Sequence, residues 1–293
     1  MNKSLTKDVI IVTKNRHEKL LRTAACIAQN AILPKTIIII DSSENCPKWI
    51  YNTISAISTN KNIKLIYRLT PDKGISYARN TGIRLSKSDI ICFIDDDEIP
   101  KPSWLSIIHN LFRNVNINVI CGPKIGLYPN NYWNQVWNQI STKIYPKKSG
   151  WVTFVSAGNS CYRRKFLLSR NYFFDERMTG FTSEDSVMST KLFQDRIPIY
   201  FSKRLSVKHE FRVSFKGFIK QWFWYGVGTY QFIRLNRINR SNQLSSMVEL
   251  INIFWFSRSQ TQPRSIPIYY VPGYAAKEIA FSLGFLYALF FGK

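Results

Sequence analysis

The chain has 293 residues, 45% hydrophobic and 20% charged, which excludes a disordered polymer and allows one large core or a core with an appendage. Lysine and arginine number 41 against 18 acids, a formal charge of +23, so the partners it attracts are polyanions: nucleic acid, phosphorylated substrates or an anionic membrane leaflet. The cysteines (Cys26, Cys46, Cys92, Cys121, Cys161) are odd in number, far apart and without a C-x-x-C pair, which argues against a disulfide framework or a zinc site. No signal-peptide pattern opens the chain, and a reducing, cytoplasmic setting is expected.

Val9 to Val12 is a continuous apolar run, the mark of a strand covered on both faces. Helical spacing follows from His17 to Ala31, and Pro34 stops it. Thr36 to Ile40 predicts a second buried strand ending at Asp41, Trp49 to Ile57 a helix, Ile63 to Tyr67 a third strand, and Ile75 to Leu85 a helix after the Asp72-Lys73-Gly74 turn. Ile90 to Ile94 is the next strand. This alternation implies a right-handed, mostly parallel α/β sheet flanked by helices. Beyond it, Pro102 to Phe112 reads as a helix, and Asn118 to Cys121 and Val152 to Ser156 as short strands. Asn130 to Asn138 reads as a loop or short helix, and Ser160 to Leu168 as a helix. A helix over Ser186 to Phe193, with Ser183 as its N-cap, precedes strands at Ile197 to Phe201 and Leu205 to Lys208, and a helix covers Phe215 to Leu235.

The apolar run at Ile90 ends in Asp95-Asp96-Asp97-Glu98. Like charges clustered at a buried strand end repel by about 4 kcal/mol per pair at ~4 Å and an effective dielectric near 20. A hard divalent cation, Mg²⁺ or Mn²⁺, relieves that repulsion; an acidic loop capping the next helix is the alternative. Thr13 and Asn15 end the first strand and Asp41 the second, so three strand ends converge on one edge, where open α/β sheets bind ligands. Asp41 alone would read as a turn residue.

The pieces VIIVTKNR (9–16), IIIIDSS (37–43), DKGISYARNTGI (72–83), ICFIDDDEIPKPSWL (91–105), SAGNSCYRRK (156–165) and GFTSEDSVMSTKL (180–192) occur in an order that resembles family 2 glycosyltransferases of the bacterial surface-polysaccharide type. The resemblance covers roughly residues 8–215. It implies a GT-A fold, with residues 1–215 as catalytic domain and 216–293 as a C-terminal helical, basic and aromatic extension. It implies a metal-dependent, inverting transfer of one sugar from a nucleoside-diphosphate sugar (UDP-, GDP- or dTDP-linked) to a hydroxyl of a saccharide or lipid-linked saccharide. Thr13, Arg16, Asp41, Gly74, Arg79, Asp95 and Asp96 would then serve the donor nucleotide, with Asn80 nearby, and Asp97 would bind the metal. Three consecutive acids leave the metal assignment open by one residue. Glu184-Asp185 matches the base motif, with Asp185 favoured; acids complementing a helix start are the alternative. Gly158 and Asn159 would shape the sugar and acceptor pocket, or form an ordinary turn. His209 would complete the metal shell, or sit on the surface beside Glu210. His17 and His109 carry no such argument.

Gln221-Trp222-Phe223-Trp224 matches the Q-x-x-R-W motif of processive members poorly, which favours a single addition. Residues 203–293 hold thirteen Lys or Arg against three acids. Lys216, Lys220, Arg234, Arg237 and Arg240, with Trp222, Trp224 and Trp255, fit a peripheral patch on the inner face of the cell membrane. The apolar stretch Ile279 to Phe291 has only 13 residues, too short at about 20 Å to span a bilayer, and reads as interfacial or buried. The competing readings are a nucleotidyltransferase, which would need a Gly-rich loop after the first strand; a nucleic-acid binder, for which no recognition motif is present; and a non-catalytic basic membrane scaffold. No nucleic-acid partner is expected.

Overall fold

The computed structural model describes residues 5–178, 183–237 and 266–291. The expected residues Gly180, Phe181, Thr182, Arg240 and Trp255 lie outside them.

Four parallel strands form one half of an eight-stranded sheet: β1 (Lys7–Thr13), β2 (Thr36–Asp41), β3 (Lys64–Leu69) and β4 (Ile90–Asp95). Their connections are helices α1 (His17–Ile27), α2 (Lys48–Asn60) and α3 (Ile75–Leu85). Ile37 through Ile40 and Ile90 through Cys92 are wholly buried, because helices cover both faces. β3 is the edge, and its exposed Lys64 and Arg68 protect it from pairing with another chain.

The second half is mixed. β5 (Glu98–Pro100), α4 (Trp104–Phe112), β6 (Val119–Cys121), β7 (Lys124–Gly126), α5 (Tyr132–Ile144), β8 (Gly150–Val152), β9 (Ser160–Arg163), α6 (Arg164–Ser169), α7 (Glu184–Gln194), β10 (Ile199–Phe201) and β11 (Val207–His209) follow in order. The large sheet runs β3-β2-β1-β4-β9-β6-β10-β8, with β9 antiparallel to both β4 and β6. A small sheet, β5-β11-β7, stands beside it. Four readings from sequence change here. Residues 160–163 are a strand, not the start of a helix. Residues 132–144 are a helix of 13 residues, longer than the short helix that is one of the two readings there. The strand near Val152 occupies 150–152, and His209 lies inside its strand instead of following it.

Beyond residue 214 the described residues include two long helices, α8 (Phe215–Arg237) and α9 (Val271–Phe291), packed along each other. Gly226 and Gly284 make the crossing: a Cβ on Gly226 would lie 2.0 Å from the Phe281 carbonyl oxygen, and one on Gly284 1.9 Å from that of Phe223. Backbone therefore meets backbone, a packing that small residues permit. Phe218, Trp222 and Ala280 join Val136, Trp137 and Ile140 of α5 in a separate apolar cluster that fixes the pair to the main body. α9 is longer than its uninterrupted apolar stretch suggests. With the preceding turn it forms a 24-residue helical segment, Ile268–Phe291, of which 17% of the most apolar window is buried, so it is long and apolar enough to cross a membrane. The length objection drawn from Ile279 to Phe291 no longer holds.

Candidate active site

The parallel register brings Thr13 beside Asp41 and Val12 beside Asp95, so the three polar strand ends share one edge. Asp96 and Asp97 form the turn between β4 and β5, which belong to different sheets. Thr23 of α1, fully buried, lies 2.8 Å from the carbonyl oxygens of both Asp96 and Glu98, and the Glu210 amide donates to the Asp97 carbonyl at 3.0 Å. The turn is thus held from both sides.

Every acid there meets a cation, and two of the cations, Arg16 and Lys124, each serve two acids. Asp95 receives Arg79 at 3.1 Å and Lys124 at 2.8 Å. Asp96 accepts from Thr13 at 2.7 Å and from Arg16 at 3.2 Å. Asp97 meets Arg16 at 3.1 Å and His209 Nε2 at 3.2 Å. Glu98, wholly buried, accepts from the Asp95 amide at 3.1 Å and faces Lys124 at 2.7 Å. These environments push the acids apart. Burial raises the Asp95 carboxyl, but Lys124 and Arg79 outweigh it and hold it at about 2. Burial and the Asp97 charge push Asp96 up to about 7 despite Arg16 and Thr13. For Asp97, burial is overcome by His209 and Arg16, and the carboxyl lies well below the usual range.

Across the cleft, Ser183 enters α7 in the left-handed region (φ 75°), placing Glu184 and Asp185 in the first turn. Arg79, 2% exposed, pairs with both Glu184 and Asp95, so one guanidinium ties the two acidic groups together. Burial and the neighbouring Asp185 raise the Glu184 carboxyl, while Arg79 opposes them. Glu184 Oε2 is buried without a hydrogen-bond partner among the described residues.

Gly158 lies against the Asp95–Lys124 pair: a Cβ there would sit 2.2 Å from Asp95 Oδ2 and 2.5 Å from Lys124 Nζ. Asn159 (φ 54°) is fully buried, accepting from the Trp104 indole at 2.9 Å and donating to the Leu205 carbonyl at 2.7 Å; its amide fastens the loop beneath the cleft. Gly74, with φ 89°, starts α3 in a conformation that favours glycine. Asp41 is buried with both oxygens engaged: Ser43 holds one, and His17 at 3.0 Å and Tyr67 hold the other. Asn80 lies away from the acidic turn and anchors Phe174 and Glu176.

Sequence reasoning missed Lys124, and assigned nothing to Glu98, His17 or Tyr67. For Lys124 the signal was present: it stands directly after an apolar strand and Gly122-Pro123, as Asp95 stands at the end of β4.

The architecture is a GT-A sheet with flanking helices. It aligns with the mannosyltransferase PcManGT from Pyrobaculum calidifontis, solved with GDP-Man and Mn²⁺, at TM-score 0.62 and 14% identity over 98% of this chain and 76% of that one. The sequence model of glycosyl transferase family 2 matches residues 8–169, and the chain belongs to that family. It is 26% identical to the hyaluronan synthase of Pasteurella multocida over 226 residues, 64% of this chain and 22% of that protein. It is 30% identical to the poly(ribitol-phosphate) beta-N-acetylglucosaminyltransferase TarP of Staphylococcus aureus (strain N315) over 118 residues, 39% of this chain and 35% of that one. The chain therefore matches only about a fifth to a third of the length of these curated relatives.

Proposed function

We propose that this protein transfers one sugar from a nucleoside-diphosphate sugar (UDP-, GDP- or dTDP-linked) to a hydroxyl of a saccharide acceptor, with inversion at the anomeric carbon. The observation that carries this reading is the Arg79 bridge, which holds Asp95 and Glu184 on the two walls of one cleft. Displacement of a diphosphate requires charge to be met on the leaving side and a proton to be taken on the opposite side.

On the donor side, Asp41 would meet the nucleobase, with His17 and Tyr67 fixing its carboxylate. Thr13, Arg16, Gly74, Arg79, Asp95 and Asp96 would line the nucleotide and sugar. Asp97 Oδ1 and His209 Nε2, 3.2 Å apart, form an oxygen–nitrogen pair able to hold one Mg²⁺ or Mn²⁺. His209 Nδ1 is buried without a hydrogen-bond partner among the described residues, which leaves the ring's tautomer unconstrained on that side. A divalent cation there would supply Lewis-acid stabilisation of the departing diphosphate. Asp185 would accept the proton of the acceptor hydroxyl, while Glu184, paired with Arg79, orients that helix turn. Gly158 lets the backbone lie directly against Asp95 and Lys124 on the side where the sugar would sit, and Asn159 fastens that wall.

The test is thermal shift against a panel of nucleotide sugars with and without Mn²⁺. At one hundred times its Kd the right donor adds about 2.7 kcal/mol, which raises Tm by roughly 5 °C for a chain of this size. Absence of any stabilising donor in both conditions would sink the reading.

We place the enzyme on the inner membrane face, with residues 216–293 as its attachment and a lipid-linked acceptor of surface-polysaccharide synthesis as substrate. α9 exposes Ile279, Leu283, Leu286 and Phe290, and α8 exposes Lys216, Lys220 and Arg234. The full chain is expected to co-sediment with vesicles containing phosphatidylserine, and less so with neutral ones or at high salt. Equal recovery in the supernatant with all vesicles would refute the placement.

A further inference from the structure

Glu98, Lys124 and His209 all come from the small sheet. β11 pairs with β5 on one side, opposing His209 to Glu98, and with β7 on the other, opposing Val207 to Lys124. This arrangement brings ligand atoms of Asp95, Glu98 and His209 within 4.8 Å of one another, the makings of a cation site with two oxygens and a nitrogen. A cation of the protein's own already stands among them. Lys124 Nζ is 2.8 Å from Asp95 Oδ2 and 2.7 Å from Glu98 Oε1. Two further contacts show that the place is built for it. The Asp95 amide donates to Glu98 Oε2 at 3.1 Å, which leaves the other, buried Glu98 oxygen to the ammonium as an ion pair by distance, without the angle of a hydrogen bond. A side chain at Gly158 would strike both Asp95 and Lys124, at 2.2 and 2.5 Å.

We infer that Lys124 is the resident cation of this cleft: its ammonium occupies the Asp95–Glu98 position and confines an incoming divalent ion to Asp97 and His209. The inference rests on the donor-site reading above and goes beyond it by fixing where the ion does not go. Lys124 is a positioning residue. It neutralises Asp95 and Glu98 without a metal, holding Asp95 Oδ2 and Glu98 Oε1, while Arg79 holds Asp95 Oδ1. A divalent ion there would have to displace the ammonium, because like charges at contact distance repel even with partial screening. At Asp97, by contrast, Arg16 engages only Oδ2 and leaves Oδ1 toward His209. A second ion is thereby excluded from Asp95, Glu98 and His209. The sequence spacing left open which aspartate takes the metal; Lys124 removes Asp95 from the choice.

The experiment counts Mn²⁺ on the full-length protein, without donor, by electron paramagnetic resonance and calorimetry. Wild type is expected to bind at most one Mn²⁺. Lys124→Met, neutral and of similar length, is expected to gain a further Mn²⁺ or to bind it at least tenfold tighter. Adding Glu98→Gln to Lys124→Met should abolish the gain, and Lys124→Arg should not show it. A folded Lys124→Met with wild-type stoichiometry and affinity overturns the proposal. Should Lys124→Met fail to fold, Glu98→Gln in the wild-type background decides: unchanged Mn²⁺ binding supports Lys124 as the partner of Glu98, and lost binding overturns it. Wild type without Mn²⁺ but Lys124→Met with it would support exclusion of the ion by Lys124 and overturn the Asp97–His209 placement.

Discussion

Asp185→Asn is expected to lower kcat for sugar transfer by about 10³-fold, with donor affinity and thermal midpoint close to wild type. The asparagine keeps the shape of the side chain and cannot take a proton. Asp185 sits in the first turn of α7, so the change also removes an acid from a helix N-terminus, which costs at most about 1 kcal/mol. Glu184→Gln makes the contrast. It weakens the pairing with buried Arg79, so its effect should appear in stability and in the position of the α7 start as well as in rate. Steady-state kinetics and thermal melts of the two variants separate the roles. An Asp185→Asn enzyme within tenfold of wild-type kcat would remove this residue as the base.

Asp8→Ala is expected to cost roughly 3–5 kcal/mol of stability without touching the cleft. Asp8 is 1% exposed at the start of β1, far from the acidic turn along the strand. Its carboxylate accepts from the Ser86 hydroxyl at 2.8 Å, the Lys87 amide at 2.9 Å, and the Ser88 amide and hydroxyl at 3.0 and 2.6 Å. Alanine would leave those donors buried and unmatched at the turn between α3 and β4. Burial by itself would raise this carboxyl, but the four donors overcome it and its net shift is downward. A carboxyl lowered on folding adds stability that is complete above its unfolded value near ~4 and vanishes as pH falls through the lower folded value. Chemical denaturation of wild type should therefore show an acid-side loss below about pH 4 that Asp8→Ala lacks in part. Superimposable stability profiles across that range would refute this account.

The first half of the fold was legible because three of its four strands, β1, β2 and β4, are buried on both faces, and the half-exposed edge strand β3 still carries a short apolar run. Runs such as Ile37 to Ile40 leave no other reading, and the turns between them carry Gly and Pro signals. The small sheet was legible only at β11, which overlaps the strand expected at Leu205 to Lys208. β5 and β7 have three residues each and lack the continuous apolar run that marked the equally short β6 and β10. α5 was obscured by its Asn and aromatic content, although Tyr132, Val136 and Ile140 repeat every four residues. α9 was shortened because Lys277 and Glu278 interrupt its apolar run; in the fold they pair with each other, and Lys277 also lies over the Trp222 ring. In the cleft, the acids announced themselves as charge at a strand end. Of the cations, Arg16 and Arg79 were assigned to the donor side by the family resemblance, whereas Lys124 went unnoticed, because it comes from distant β7 and looks like ordinary solvated charge until the chain is folded.

The reversal of direction at β9 divides the chain between the two walls of the cleft. The wall holding Thr13, Asp41 and Gly74 comes from the chain before residue 86, whereas that holding Gly158, Asn159, Glu184 and Asp185 comes from the chain after residue 150. No crossover helix connects the two over the end of β4, since its neighbours β1 and β9 run in opposite senses. The opening there is a topological switch point. The two walls nevertheless rest on one core, since Ile10, Ile38 and Ala78 pack in the same cluster as Val155, Ala157 and Met188. A buried substitution in either wall is therefore felt in the other, and the room for independent variation lies in the side chains above that shared layer.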